Sequence, residues 1–157
     1  MPNRISGGLL LYRVNRGKLE VLLVHPGGPF WRNKDEGAWS IPKGEINDGE
    51  DLLDAARREF AEETGCRPAG RFIPLKPVKQ KSGKIVHAWA VEGNLDPDAI
   101  RSNVFMMEWP PKSGKQAEFP EVDRAAFFDL PAARNKINPA QTAFVNELER
   151  LLAAGGK

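Results

Sequence analysis

The chain has 157 residues, and its 23 lysines and arginines against 21 aspartates and glutamates give a formal net charge of +2. This length fits one domain, 1–157, and the near-neutral charge gives no indication of a surface for nucleic acid or membranes. A single cysteine excludes an intrachain disulfide, and no apolar run approaches the ~20 residues of a membrane span. We therefore expect one soluble domain located in the cytoplasm.

The N-terminal part of the chain predicts a β-hairpin followed by a long loop. Residues 6–14 and 19–25 are apolar runs, and the turn-rich stretch 15–18 joins them. Residues 26–38 contain several glycines and prolines and predict a loop. Loops of this length in compact domains are typical of binding sites.

Residues 51–64 (DLLDAARREFAEET) predict a helix of about four turns, because they lack Gly and Pro and are rich in strong helix formers. Apolar residues at three- and four-residue steps, among them Ala56 and Phe60, predict a buried stripe. The stretch 47–49 supplies turn and N-terminal cap chemistry, and Gly65 suits a left-handed C-terminal cap.

Three carboxylates share one side of this helix, since Glu59, Glu62 and Glu63 stand at positions i, i+3 and i+4. Like charges at this spacing cost a few tenths of a kcal/mol per pair, so helix stability does not explain them. Converging carboxylates suit a hard divalent cation such as Mg²⁺. Arg58 can orient a neighbouring carboxylate through its bidentate fork. By themselves, the three glutamates also fit a solvated acidic face.

The remainder of the chain alternates apolar segments with turns and ends in helices. We predict strands at 71–80, 84–92, 104–109 and within 122–128, a polar loop at 112–120, and helices beginning at 129 and 138. In the last helix, Phe144, Leu148 and the pair 151–152 predict the apolar stripe.

A fixed pattern runs through the acidic helix and the residues before it. Its seven positions are Gly44, Glu50, Arg58, Glu59, Glu62, Glu63 and Gly65. They resemble the Nudix box in identity and spacing, while Phe60 and Cys66 occupy its two aliphatic positions. At ~7% per fixed position, a chance match has a probability of about 10⁻⁸ per window. This register favours a metal site over a solvated acidic face.

The resemblance implies an α+β fold, an α/β/α sandwich with a mixed β-sheet between helices. It also implies divalent-metal-dependent hydrolysis of a nucleoside diphosphate linked to another moiety, with cleavage between phosphorus atoms. Mg²⁺ is the expected ion and Mn²⁺ an alternative. The expected partner is a small nucleotide, and the protein is expected to be a monomer or homodimer that does not bind membranes.

The same resemblance assigns roles to individual residues. The implied metal ligands are Gly44, Glu59, Glu62 and Glu63. Glu62, Glu63, Glu121 and Arg58 form the implied catalytic set, with Glu50 and Arg58 holding the ligands in place. Lys43 either contacts a phosphate or is an ordinary surface lysine.

The general base is expected outside the box. The stretch 120–123 (PEVD) resembles the segment that carries a catalytic Glu in bacterial RNA pyrophosphohydrolases, so Glu121 is the first candidate. Glu121 as a simple loop tether is the alternative, and Glu118 is the second candidate for the base. Glu108 and Glu92 are weaker candidates because they lie in or beside strands.

Two tryptophans lie in or beside the long loop. An exposed ring at Trp31 or Trp39 would stack on a nucleobase, which makes both expected substrate-binding residues. Trp89 and Trp109 stand in strand patterns and are expected in the core. His25 and His87 have no metal-ligand spacing, so structural roles are favoured.

The resemblance indicates the type of reaction more specifically than it indicates the substrate. Nearly the whole chain resembles a bacterial group of predicted NTP pyrophosphohydrolases related to diadenosine tetraphosphate hydrolases. The tyrosine that such hydrolases carry beyond the box has no counterpart, since the only tyrosine is Tyr12. Diadenosine tetraphosphate or a nucleoside triphosphate is the favoured substrate. The alternatives are an RNA 5′ end, although near-neutral charge makes nucleic acid less favoured, and a non-catalytic domain that senses a nucleotide.

Overall fold

The structure, a computed structural model, describes residues 4–154 and contains a mixed β-sheet between helices. The strands are β1 (Ile5–Asn15), β2 (Lys18–Pro26), β3 (Lys43–Glu45), β4 (Ile73–Pro74), β5 (Val78–Lys79), β6 (Ile85–Glu92), β7 (Val104–Glu108), β8 (Gln116–Pro120) and β9 (Val122–Asp129). The α-helices are α1 (Leu52–Thr64), α2 (Leu130–Lys136) and α3 (Thr142–Ala154). The main sheet has the order β4-β6-β1-β2-β9, with β3 paired to β1 and β5 paired to β6, while β7 and β8 form a separate hairpin.

The first hairpin forms as predicted. Asn15 of β1 pairs with Lys18 of β2, which leaves a two-residue connection. Arg16 and Gly17 have φ angles of 53° and 79°. Two positive φ angles are the signature of a type I′ turn, whose twist matches that of antiparallel strands. Beside β1 on its other edge, β6 runs parallel, so the sheet is mixed.

The acidic helix α1 is also confirmed, but its N-terminal cap differs from the prediction. Asp51, not the stretch 47–49, caps the helix by accepting hydrogen bonds from the N–H groups of Leu53 and Asp54. At the other end, Gly65 has a φ of 79° and its N–H donates to the carbonyl of Ala61. This is the left-handed cap that the glycine predicts.

Apolar side chains on both faces of the sheet form two core layers. One layer packs against α1 and comprises Leu9, Leu11, Leu22, Ala56, Phe60 and Val91. The other packs against α2 and α3 and includes Leu10, Leu23, Ala133, Phe144 and Leu148. This arrangement confirms the expected α+β sandwich. No helix within residues 4–154 has the length and apolar character needed to cross a membrane.

A glycine in β1 allows α1 to lie directly on the sheet. A Cβ atom at Gly7 would stand 2.8 Å from the carbonyl oxygen of Leu52 and 3.1 Å from the amide nitrogen of Ala56. The backbones of strand and helix are therefore in contact at this point. Gly7 also pairs with Gly44 of β3, so it touches both elements that carry the predicted metal ligands.

Two predicted segments differ from the structure for identifiable reasons. The expected strand 71–80 is reduced to β4 and β5, two residues each, since Pro74 and Pro77 lack the N–H groups that a continuous ladder needs. The expected polar loop 112–120 is wrong in its second half, because 116–120 is strand β8 paired with β7.

The last helix begins later than predicted. Asn138 caps a short 3₁₀ turn, Pro139–Gln141, and α3 follows at Thr142. Phe144 and Leu148 are buried as expected, whereas Leu151 is 37% exposed.

Candidate active site

Arg58 is the hydrogen-bonding centre of the box, and all five of its N–H groups are used. Nε and Nη2 donate to the two carboxylate oxygens of Glu50 at 2.8 and 3.0 Å, and Nη1 donates to Glu59 at 2.8 Å and to Glu62 at 3.0 Å. The fifth bond runs from Nη2 to the carbonyl of Glu45 at 3.1 Å. Hydrogen bonding from Arg58 lowers the pKa of Glu50 to about 2. Arg58 therefore joins α1, β3 and the turn before the helix.

Glu59 occupies the space where a side chain at position 44 would stand. A Cβ atom at Gly44 would lie 1.9 Å from Oε1 of Glu59 and 2.0 Å from its Cδ. The box glycine therefore leaves room for a carboxylate directly over the β3 backbone. This contact brings a carboxylate oxygen and a backbone segment of β3 to the same place, as the predicted ligand set requires.

The carboxylates of α1 and the carboxylate of Glu121, just before β9, repel one another. Burial, followed by the charges of Glu59 and Glu121, raises the pKa of Glu63 well above its usual value. Burial also raises the pKa of Glu59 although Arg58 opposes the shift. For Glu121, burial and then the charge of Glu62 raise the pKa. The structure thus gathers four of the predicted site residues into one electrostatically coupled group.

The donor atoms of this group suit a hard cation, since they are carboxylate oxygens. In the conformation described for residues 4–154, no three His, Cys, Asp or Glu side chains approach closely enough to enclose an ion. Glu59 and Glu62 are instead hydrogen-bonded to Arg58. Partial neutralisation by the guanidinium accounts for this orientation, because it offsets the repulsion between the two carboxylates.

Residues from four parts of the chain line a cavity of about 120 Å³ beside the carboxylates: they include Pro26, Ser40, Lys43, Glu63 and Glu121. Burial, and then the neighbouring charge of Lys84, lowers the pKa of Lys43, while Glu63 opposes this shift. Lys43 is therefore part of the cavity wall and differs from an ordinary surface lysine.

The backbone around Glu121 is fixed on both sides. Its carbonyl accepts a hydrogen bond from the N–H of Gly27 at 2.9 Å, and its own N–H donates to the carbonyl of Asn103 at 2.8 Å. The N–H of Asn103 in turn donates to the carbonyl of Glu62 in α1. The loop after β2 and the base of the β7–β8 hairpin thus hold Glu121 near the helix.

The other candidates for the general base lie elsewhere. Glu118 is exposed on β8. Glu108 accepts a hydrogen bond from the N–H of Gly114 at 2.7 Å and closes the hairpin turn. Glu92 lines a different cavity together with Tyr12. Of these glutamates, Glu121 alone shares the cavity wall with Glu63.

The two tryptophans predicted to bind substrate have different environments. Trp39 is only 4% exposed, its Nε1 donates to Asp35 at 2.8 Å, and its ring packs edge-on against Phe128. The expectation of an exposed ring at Trp39 is therefore corrected, because the ring belongs to the core. Trp31 is 40% exposed, and the ammonium of Lys34 lies 5.1 Å from its ring centroid.

Two aromatic residues at the long loop pack against each other. Phe30 is 64% exposed and meets Trp109 edge-on at 6.2 Å between ring centroids. The prediction that Trp109 lies in the core is wrong, because Trp109 follows β7 and packs against Phe30. Trp89 is half-buried and packs against the core layer that contains α1, as expected.

Comparison with known proteins agrees with the box. A family model described as NUDIX domain matches residues 3–148, which confirms the resemblance. An RNA pyrophosphohydrolase of Caulobacter vibrioides is 45% identical over 56 residues, which cover 32% of this chain and 33% of that protein. The chain therefore spans about a third of the length of this relative.

Solved structures show the same fold at low sequence identity. An Ap4A hydrolase of C. elegans, determined as a binary complex, has a TM-score of 0.67 at 23% identity, with 96% of this chain and 98% of that chain covered. The NUDIX domain of Shewanella oneidensis NrtR, complexed with ADP ribose, has a TM-score of 0.68 at 16% identity, with coverage of 97% and 90%.

Proposed function

Because this chain belongs to the NUDIX domain family, we propose that it is a divalent-metal-dependent hydrolase of nucleotide pyrophosphate bonds. The observation that carries the proposal is the group of mutually repelling carboxylates over the β3 backbone. Burial and mutual repulsion raise the pKa values of Glu59 and Glu63. A bound divalent cation, Mg²⁺ or Mn²⁺, would offset this repulsion and favour the ionised carboxylates.

The proposed ligands are the carboxylates of Glu59, Glu62 and Glu63 and the carbonyl oxygen of Gly44. When bound, the ion supplies positive charge that stabilises the phosphate oxygens and lowers the pKa of the attacking water. Arg58 keeps two of the carboxylates in place through hydrogen bonds of 2.8 and 3.0 Å. Residues that orient ligands in this way commonly change activity or metal affinity 10- to 100-fold when they are replaced.

Glu121 is the proposed general base, and Lys43 the proposed phosphate contact. The raised pKa of Glu121 brings its basicity closer to neutral pH, where a general base works best. Its ionised form accepts a proton from the attacking water. The ammonium of Lys43, in the same cavity wall, donates to the phosphate oxygens as a point charge.

Dinucleoside polyphosphates such as diadenosine tetraphosphate, or nucleoside triphosphates, are the proposed substrates. The exposed ring of Trp31 is available to stack on a nucleobase, and Lys34 beside it adds positive charge for phosphates. An RNA 5′ end is the second candidate, favoured by the 45% identity to an RNA pyrophosphohydrolase. A nucleotide sensor without turnover is the third, and the intact set of carboxylates counts against it.

A substrate screen tests the proposal. Diadenosine tetraphosphate, ATP and a 5′-triphosphorylated RNA are incubated with Mg²⁺ or Mn²⁺ in ¹⁸O-labelled water, and the products are identified by mass. We expect metal-dependent cleavage between phosphorus atoms, with the label in one phosphate product. Tight binding of all three compounds without any cleavage would overturn the hydrolase in favour of the sensor.

Matched variants test the residue roles. Glu121→Gln should lower kcat by about 100-fold or more, the usual effect of removing a general base, whereas Glu118→Gln should not change it. Loss of activity in Glu118→Gln alone would identify Glu118 in β8 as the general base. Glu63→Gln should weaken Mg²⁺ binding in calorimetry, and the exposed loop variant Glu36→Gln serves as its control.

A further inference from the structure

A fully buried histidine joins three segments beside the candidate site. His25 of β2 has no exposed surface. Its Nδ1 lies 2.8 Å from Oδ1 of Asp123 in β9, and its Nε2 lies 2.6 Å from the carbonyl oxygen of Lys34 in the long loop. An ionised carboxylate and a carbonyl only accept hydrogen bonds. Both ring nitrogens therefore face acceptors and are placed to donate.

The carboxylate partner of this ring stands in a β-bulge. The ladder between β2 and β9 joins His25 to Arg124 and then Pro26 to Val122, so Asp123 is an extra residue in β9. Bulges of this kind re-aim side chains and are frequent next to active sites. The proposed general base directly precedes Val122. Removing the extra residue would turn the following side chains to the other face of the sheet.

Several charged groups surround the buried ring. Arg124 of β9 places its Nε 3.8 Å from the same oxygen of Asp123. The ring of Trp39 meets that of His25 edge-on at 5.2 Å, and Trp39 is itself hydrogen-bonded to Asp35 of the loop. Asp35 also pairs with Lys136 of α2. The C-terminal half of the loop is thus attached at His25, and its N-terminal half is attached to the segment that carries the base.

We propose that His25 is a positioning residue that directs Glu121 at the carboxylate cluster by holding the Asp123 bulge and the loop 27–38. The inference rests on the proposed function, because it requires Glu121 to act as the base. Without the His25 ring, the Asp123 carboxylate loses the hydrogen bond that it accepts from Nδ1, and the bulge is free to rearrange. A misplacement of ~1 Å at a reacting group can cost 100-fold in rate. Since His25 does not border the cavity, the loss should fall on kcat, and a rise in KM should be confined to nucleotides that contact Trp31 in the loop.

A double-mutant cycle tests this role. The variants are His25→Gln, Glu121→Gln and the double substitution, with His87→Gln, the only other histidine position, as control. We expect His25→Gln to lower kcat about 10- to 100-fold, with little change in KM for a polyphosphate without a base. Glu121→Gln should then cost only about threefold in the His25→Gln background, because residues that act through one group are non-additive. His87→Gln should keep the wild-type kcat.

Hydrogen exchange supplies a readout that does not depend on activity. Peptides covering 121–124 should exchange their amide protons faster in His25→Gln than in the wild type or in His87→Gln. If His25→Gln does not fold, Asp123→Asn, which removes the charge of the partner, is carried through the same cycle and exchange measurement. The same pattern is expected with a smaller loss.

The outcomes separate this inference from the proposed function. Independent, multiplicative losses in the cycle, or unchanged exchange at 121–124, would overturn the positioning role while leaving the hydrolase in place. Full turnover in Glu121→Gln would refute both the assignment of Glu121 as general base and the positioning role of His25. Nitrogen NMR of the His25 ring should detect protons on both nitrogens, and a ring with one proton would contradict the geometry from which the role was inferred.

Discussion

Replacing Gly44 by alanine would test whether the Glu59 carboxylate must occupy the space over the β3 backbone. The added methyl group would stand 1.9 Å from Oε1 of Glu59. Gly44 is not among the glycines with positive φ, so alanine fits its backbone. The atoms that must move belong to the end of a flexible side chain. We therefore expect Gly44→Ala to fold, with the free energy of unfolding changed by less than about 1 kcal/mol.

The effect on catalysis should be much larger. Moving Oε1 from 1.9 Å to a tolerable separation of 3.0 Å displaces the Glu59 carboxylate by about 1.1 Å. A shift of ~1 Å in a positioned group can lower the rate about 100-fold, which corresponds to about 2.7 kcal/mol of activation free energy. The affinity for Mg²⁺ should fall in parallel, because Glu59 is a proposed ligand.

The assay compares kcat, the Mg²⁺ affinity from calorimetry and thermal unfolding in EDTA for Gly44→Ala, Glu59→Gln and the double variant. The two single variants should resemble each other, and the double variant should be no worse than Glu59→Gln. Wild-type kcat together with wild-type Mg²⁺ affinity in Gly44→Ala would refute the reasoning, since the carboxylate would then have functioned after being displaced.

Three further predictions concern other parts of the site. Burial, and then the charge of Glu59, raises the pKa of Glu63 well above 4.5. Ionisation of Glu63 therefore lowers the free energy of unfolding of the metal-free protein as the pH rises above 4.5. Glu63→Gln should therefore become more stable than the wild type between about pH 5 and pH 8 in EDTA, and gain less from Mg²⁺; equal melting curves across this range would contradict the expectation. Arg58→Lys should lower kcat about 10- to 100-fold, because lysine cannot reproduce five directed hydrogen bonds; wild-type rates would argue against its role. Trp31→Ala should raise KM about fivefold or more for nucleotides while leaving a polyphosphate without a base unaffected; an equal change for both would exclude stacking.

The sequence was sufficient for elements whose determinants are local. Helix α1 followed from its composition and its C-terminal glycine, and the first hairpin from the turn residues before Lys18. The spacing of the box likewise predicted that Arg58 and the three helical glutamates lie close together, and this prediction required no information about the sheet. Each of these features depends on contacts within a few turns of the chain or within one hairpin.

Features that depend on distant contacts were not accessible in the same way. Strand β8 reads as a polar loop, because only Ala117 and Phe119 in it are partly buried and its pairing with β7 is not visible in the sequence. Trp39 lies beside a glycine-rich loop, yet its neighbour Phe128 comes from a strand almost ninety residues later. The pairing of His25 with Asp123 spans 98 residues and gives no local signal.

The glycine at position 7 has a consequence for the ion selectivity of the proposed metal site. Because Gly7 has no side chain, α1 packs so close to β1 that a Cβ atom at this position would lie 2.8 Å from the carbonyl oxygen of Leu52. Gly7 also pairs with Gly44 of β3. A bulkier residue would move the helix outward and widen the gap between the carboxylates and the β3 carbonyl. In the proposed metal site, the accepted ionic radius would therefore be set partly by a core residue that never contacts the ion.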